Sequence, residues 1–218
     1  MNFFSRLSAI AVVLTVSALS ASATTLSLGS YASTGSAPTG VSNSATYYYA
    51  GTSAAQATYT LGTGGIWSNP LGSSSWVSYN ANTAPGGSVV ASNGTYDYFT
   101  TFTDSSASTS MGSVTVMADD TTSIYLNGVM IAAAAAASPA INCTIGQPNC
   151  KVPVTFNLSG FVNGTNVLAF GVDQDFGSAT GLDFVGSVNT AATPEPSSLM
   201  LLGTGVLGVA GALRRRLA

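Results

Sequence analysis

From Thr24 to about residue 190 apolar and polar residues alternate in short runs, and no stretch keeps a 3.6-residue apolar period. The alternation is plainest in Tyr96-Asp97-Tyr98-Phe99-Thr100-Thr101-Phe102 and in Ser113-Val114-Thr115-Val116-Met117. β-Branched or aromatic residues fill Ser123-Ile124-Tyr125-Leu126 and the stretch from Val152 to Leu158. Asn127-Gly128, set between Ile124-Tyr125-Leu126 and Val129-Met130-Ile131, predicts a two-residue hairpin, because both turn positions need positive φ. Asn163-Gly164 before Thr165-Asn166-Val167-Leu168-Ala169-Phe170 reads as another turn, feeding a core strand. Short strands punctuated in this way predict an all-β body, an antiparallel β-sandwich. The run Ala132 to Ala137, stopped by Ser138-Pro139, is too short for a stable isolated helix and reads as a strand end entering a loop. Thr24 to Asn43, rich in Ser, Thr and Gly, reads as an irregular or edge segment.

The two ends depart from this pattern. Met1 to Ala23 carries Arg6, an apolar stretch from Leu7 to Leu19, and Ala21-Ser22-Ala23, a small-x-small site before Thr24. A secretory signal peptide is built this way, so the expectation is a signal helix removed after Ala23. At the other end Thr193-Pro194-Glu195-Pro196-Ser197-Ser198 precedes an apolar run, Leu199 to Leu213, and then Arg214-Arg215-Arg216. The prolines hold the chain extended outside the bilayer, while the arginines resist crossing and stay cytoplasmic. The expected transmembrane helix, about residues 197–213, is at or below the roughly 17 to 25 residues that span a bilayer, and Gly203, Gly205, Gly208 and Gly211 weaken it further. So short a segment favours processing over a permanent anchor, the plain anchor helix being the alternative. The domain layout is a signal peptide at 1–23, a body at 24–190 long enough for one core, and a tail at 191–218.

Pro194-Glu195-Pro196, the Ser-Ser-Leu that follows, the span with Leu202-Gly203-Thr204-Gly205 and the closing arginines closely resemble the PEP-CTERM sorting tail of exported bacterial proteins. The same tail is also labelled the C-terminal domain of ice-binding proteins. The resemblance covers roughly residues 191–218. It implies recognition by an exosortase-type membrane processing enzyme and cleavage near the Pro-Glu-Pro. It also implies transient anchoring in the inner membrane, then release to a cell surface or matrix rich in exopolysaccharide. Ice binding has its own physical signature, flat arrays of evenly spaced threonines, and the Thr-rich stretches here keep no such period.

Charge narrows the function classes. Arg6 lies in the signal and Arg214 to Arg216 in the tail, so Lys151 is the one basic residue of the body, against Asp97, Asp104, Asp119, Asp120, Asp173, Asp175 and Asp183. Nucleic-acid binding needs cations to neutralise phosphate and is excluded as a partner class. With no histidine in the chain, Ser-His-Asp triads, Cys-His dyads and the common zinc sites are absent. No Walker-type glycine-rich phosphate loop is present. Paired aspartates can run glycoside hydrolysis, but nothing in the spacing brings two of them to one cleft, and the expectation is a body without catalysis. Cys143 and Cys150, in an oxidising compartment, are expected to pair across the turn-rich segment between them. The competing reading, a redox or metal pair, lacks both a histidine and a redox spacing.

A second, looser resemblance runs over roughly residues 112–187. Ala118-Asp119-Asp120, Ile124-Tyr125-Leu126-Asn127-Gly128, Phe156-Asn157-Leu158, Gly164-Thr165-Asn166-Val167-Leu168 and Gly181-Leu182-Asp183-Phe184 are similar to the C-terminal half of galactose-binding-like jelly-roll domains. This implies a jelly roll and leaves the ligand open, since some relatives bind sugars through end loops and others are spacers. Two sets of residues are candidates for a site. Asp119, Asp120, Asp173, Asp175 and Asp183 offer hard oxygen ligands for a structural Ca²⁺, the competing reading being turn-capping aspartates. Tyr47-Tyr48-Tyr49, Trp67, Trp76, Tyr79, Tyr96 and Tyr98 offer rings for stacking on sugars, with Trp67 and Trp76 the expected anchors, although alternate members of a strand must point to opposite faces. The functional expectation is an exported, non-catalytic surface or matrix protein, structural or adhesive beside exopolysaccharide in biofilm or floc. A carbohydrate-binding module with a defined glycan site is the alternative.

Overall fold

Alternation places successive side chains on opposite faces of a strand, so every alternating run needs a cover for its apolar face. In the computed structural model, which describes residues 23–31, 38–50, 54–136, 143, 146–190, 203–208, 211–212 and 214–215, one antiparallel sheet supplies that cover by folding over on itself. Its strands are β1 (Thr24–Gly29), β2 (Ser42–Tyr48), β3 (Gln56–Thr60), β4 (Val77–Ser78), β5 (Gly94–Asp104), β6 (Met111–Asp119), β7 (Thr121–Leu126), β8 (Val129–Ala132), β9 (Val154–Leu158), β10 (Gly164–Gln174) and β11 (Gly181–Thr190). They lie in the order β8-β7-β10-β5-β2-β3-β4-β11-β6-β9, and β1 pairs with β11 as an edge. β8 and β9, at the two ends of this order, touch again, so the sandwich closes nearly into a barrel. Backbone contacts place residues 23–191 in one unit and residues 1–22 with 192–218 in another.

The turn chemistry is as the residues require. Asn127 and Gly128 sit at φ 52° and 79°, the mirror-image turn whose twist matches the strands it joins. β8 ends at Ala132 and residues 133–136 have no regular structure, in keeping with a strand end entering a loop; Ala137 lies outside the described residues. Phe170 on β10 and Phe184 on β11 stack with ring centroids 4.6 Å apart, although their strands are not hydrogen-bonded neighbours. Both rings are essentially buried, and around them pack Tyr98 and Phe102 from β5, Val114 and Val116 from β6, and Leu168 from β10. This contact is where the two layers meet.

A second, smaller core lies on the outer side of β6 and β11. Met117 points there, and Leu61, Trp67 and Trp76 cover it together with Cys143 and Cys150, which are joined in a disulfide with Cα atoms 5.3 Å apart. Trp67 and Trp76 lie ring against ring at 4.5 Å. Gly181 is required here, because a Cβ at that position would lie 2.7 Å from the Trp67 ring. The disulfide segment and the tryptophan loop are tied by Ser68 N–H donating to the Cys150 carbonyl (2.9 Å) and Trp76 Nε1–H donating to the Ser68 carbonyl (2.9 Å).

Of the expected signal peptide, residues 1–23, all but Ala23 lies outside the described residues, as do Pro194, Glu195, Pro196 and Arg216. In the second unit residues 203–208, 211–212 and 214–215 are helical, with Val206, Leu207, Arg214 and Arg215 exposed. Among the described residues no helix is long and apolar enough to cross a membrane.

Replacing Phe184 with Ala is expected to lower the unfolding free energy of residues 23–191 by about 3 to 5 kcal/mol, read by chemical denaturation. A loss below about 1 kcal/mol would mean that the layers do not depend on the Phe170–Phe184 contact.

Candidate functional site

A cleft of about 640 Å³ opens at the end of the sandwich where β6 runs into β7 and β10 turns toward β11. One wall is the segment Ala84 to Val90, another is Ile66 with Trp67, and a third is the turn from Asp175 to Ala179. Asp119 and Asp120 lie at its base, each 6% exposed, beside Cys143. Ile66, Val90 and Phe176 form an exposed apolar rim. Among the described residues no lysine or arginine lines it.

The carboxyls at the base are held by neutral donors. Trp67 Nε1–H donates to Asp119 Oδ2 at 2.8 Å, and the Asp175 N–H donates to Asp120 Oδ2 at 2.7 Å. Asp119 and Asp120 are neighbours at the base, and each affects the other's proton affinity. Burial pushes Asp119 from the ordinary 3.8 up to about 7; the neighbouring Asp120 adds to the rise and the Trp67 bond opposes it. Burial raises Asp120 as well, against the lowering effect of the Asp175 amide and of Asp119. Asp119 therefore keeps its proton closer to neutral pH than an ordinary carboxyl does.

Phe176 owes its place to the turn that follows β10. Its φ is 66° and that of Gly177 is 52°, a pair of left-handed residues that asks for Asn or Gly at the first position and here receives a phenylalanine. Such a conformation costs on the order of 1 kcal/mol and persists only where the surroundings impose it. They do so here. Gln174 Nε2–H donates to the Asp175 carbonyl (2.8 Å) and to Ser178 Oγ (3.0 Å), the Gly177 N–H donates to Asn93 Oδ1 (2.7 Å), and the Ala91 N–H donates to the Ser178 carbonyl (2.9 Å). The result is a phenyl ring 59% exposed at the lip of the cleft.

Of the five aspartates expected around calcium, Asp119, Asp120 and Asp175 line this cleft, whereas the other two are engaged elsewhere. Asp173 Oδ1 accepts from Thr95 Oγ1 at 2.6 Å across the β5–β10 pairing. Asp183 is fully buried on the outer side of β11, where it accepts from Ser30 Oγ (3.0 Å), the Leu71 N–H (2.7 Å) and Ser74 Oγ. Among the described residues the one set of three metal-type ligand atoms within reach of each other is Asp119 with Cys143 and Cys150, and those sulfurs are spent on their own bond. The five-aspartate site is thus not assembled as expected.

The tryptophans are also placed differently from the expectation. Trp67 is 4% and Trp76 0% exposed, with both ring nitrogens donating inward, so neither offers a face to a glycan. Tyr47 and Tyr49 stack on Phe99 on one face of β2 and Tyr48 approaches Tyr79 on the other, as alternation demands. Phe176 is the ring that residue type alone did not single out; its signal is an aromatic between Asp175 and Gly177 in a two-residue turn.

Residues 192–216 match the PEP-CTERM protein-sorting motif, which indicates an exported protein sorted to the cell envelope and implies processing of exosortase type. No curated protein matches the chain. Among solved structures, the chain is similar to the native structure of a family 35 carbohydrate binding module from Clostridium thermocellum, at 16% identity over 58% of this chain and 85% of that one, with a TM-score of 0.32.

Because Asp119 holds its proton more tightly in the folded protein than in the unfolded chain, its contribution to stability is full below about pH 4 and is lost as the pH rises through about 7. The melting temperature of residues 23–191 should fall over that window, and Asp119→Asn should reduce the slope, leaving a decline of the same sign from Asp120 and Asp183. Equal slopes in the two proteins, measured by thermal melting from pH 4 to 9, would exclude Asp119 as the titrating group.

Proposed function

We propose that this is an exported surface or extracellular-matrix protein whose body, without catalysis, adheres to exopolysaccharide through the cleft between Phe176 and Asp119-Asp120. In this reading residues 1–23 are a signal peptide cleaved after Ala23. The tail then holds the chain transiently at the inner membrane until an exosortase-type enzyme removes it. The body is a jelly-roll sandwich of the galactose-binding kind that meets its ligand at one end.

The observation that carries the reading is Phe176, an exposed ring forced into a left-handed turn beside buried carboxylates. Sugar rings present apolar C–H faces that pack on an aromatic side chain and hydroxyls that donate to carboxylates, so a stacking ring above a polar base suits a glycan. Three aspartates without a cation among the cleft residues disfavour an anionic polymer. The ligand class that fits is therefore a neutral or amino-bearing glycan. Catalysis is not part of the reading: the two carboxyls at the base belong to consecutive residues and are engaged by Trp67 and by the Asp175 amide.

The test is binding of the body to exopolysaccharide by pull-down and calorimetry, with Phe176→Asn as the informative variant. Asparagine accepts the left-handed turn, so the variant is expected to gain about 1 kcal/mol of stability while its glycan affinity falls at least tenfold. Affinity equal to wild type in Phe176→Asn would remove the cleft from the proposal. No binding by the wild-type body would leave a structural surface protein with no glycan site.

A further inference from the structure

A second pocket, about 180 Å³, lies at the opposite end of the sandwich, where β5 and β11 finish and β1 begins. It is lined by Thr24, Thr25, Leu26, Thr103, Asp104, Ser105, Val188 and Thr190, so most of its polar groups are hydroxyls. Asp104 is 2% exposed. Its Oδ1 accepts the Ser106 N–H at 2.8 Å, and its Oδ2 is buried with no hydrogen-bond partner. A carboxylate oxygen withdrawn from water and left unmet is costly, and the cost is removed when a positive group takes its place beside it. Among the described residues no lysine or arginine side chain lines the pocket.

We propose that this pocket is a cation site in which Asp104 Oδ2 is the anionic ligand and threonine and serine oxygens complete the shell. One carboxylate with several neutral oxygens is a donor set for a hard metal ion and equally for an ammonium group. Two sources share that chemistry. One is a free divalent ion. The other is the chain itself: cleavage after Ala23 turns the Thr24 amide nitrogen into an α-ammonium group, and Thr24 lines the same pocket, held against β11 by the bond between Thr24 Oγ1 and Thr190 Oγ1 at 2.7 Å. In the second case export would switch the site on, since the charge does not exist until the signal is removed.

The two sources are separated by thermal melting of a body that starts at Thr24 and of one that starts at Ala21, each in chelator and in millimolar calcium, with Asp104→Asn in both. The asparagine keeps an acceptor for the Ser106 N–H while discarding the charge. A rise of about 3 °C or more with calcium in both bodies, absent in Asp104→Asn, assigns a metal ion. A similar advantage of the Thr24 body over the Ala21 body in chelator, absent in Asp104→Asn, assigns the α-ammonium group. Should Asp104→Asn fail to fold, Asp104→Ser replaces it and the wild-type comparison still decides. A wild-type body whose melting temperature responds to neither calcium nor the new terminus overturns the proposal, and so does a response that survives in the variant.

Discussion

A body with seven aspartates and one lysine must hold its buried carboxylates with neutral donors, and the architecture follows from where those donors come from. Asp183 is the clearest case. Its charge is opposed by burial, which raises its pKa, and is supported by Ser74, Leu71 and Ser30. Those three residues belong to the loop after β3 and to the segment just beyond β1, where Ser30 N–H also donates to the Phe184 carbonyl, so one carboxylate fastens two stretches of chain onto β11. The loop gathered in this way carries Trp67 and Trp76 over Met117 and the disulfide. A hydrophobic cover thus depends on a polar centre beneath it.

The same rule shapes the cleft. Trp67 serves twice, as a lid on the outer core and as the donor to Asp119, so the wall of the cleft and the protonation of its base are linked through one side chain. Asp120 in turn accepts the Asp175 amide and its own N–H bonds the Asp173 carbonyl, which fixes the exit of β10 and with it the turn that presents Phe176. The exposed ring is therefore positioned from below by carboxylates and from the side by Gln174 and Asn93. A turn with so many constraints can carry a residue that its backbone disfavours.

The strands were legible because alternation is a local signal that packing has no reason to override when one face is covered. Asn127-Gly128 was legible for the same reason, since few other residues fit two consecutive left-handed positions. Cys143 and Cys150 were legible from compartment and spacing, and the tail from the order of its parts. What escaped was anything that depends on which loop folds over which face. Trp67 and Trp76 have the chemistry of a sugar platform, but burial is set by the loop path, and Asp119 and Gly181 receive Trp67 in the interior. The five aspartates were grouped by their chemistry as oxygen ligands in turns. β11 carries Asp183 to the outer face, whereas Asp119, Asp120 and Asp175 meet at the end of the sandwich. Phe176 went unnoticed because aromatic residues signal strands, and its meaning comes from a backbone angle.

The placement of β11 has a mechanical consequence. The strand starts beside the cleft at Gly181, and at Thr190 it hands the chain on toward the tail, roughly 30 Å away for ten extended residues. A pull on the chain at Thr190 against a hold at Gly181 would load this strand along its length. It is paired to β6 from Gly181 through Asn189 and to β1 over its second half, so the load falls on many hydrogen bonds in shear at once instead of peeling them one by one. A pull between the two ends of β11 therefore meets ladders on both of its edges.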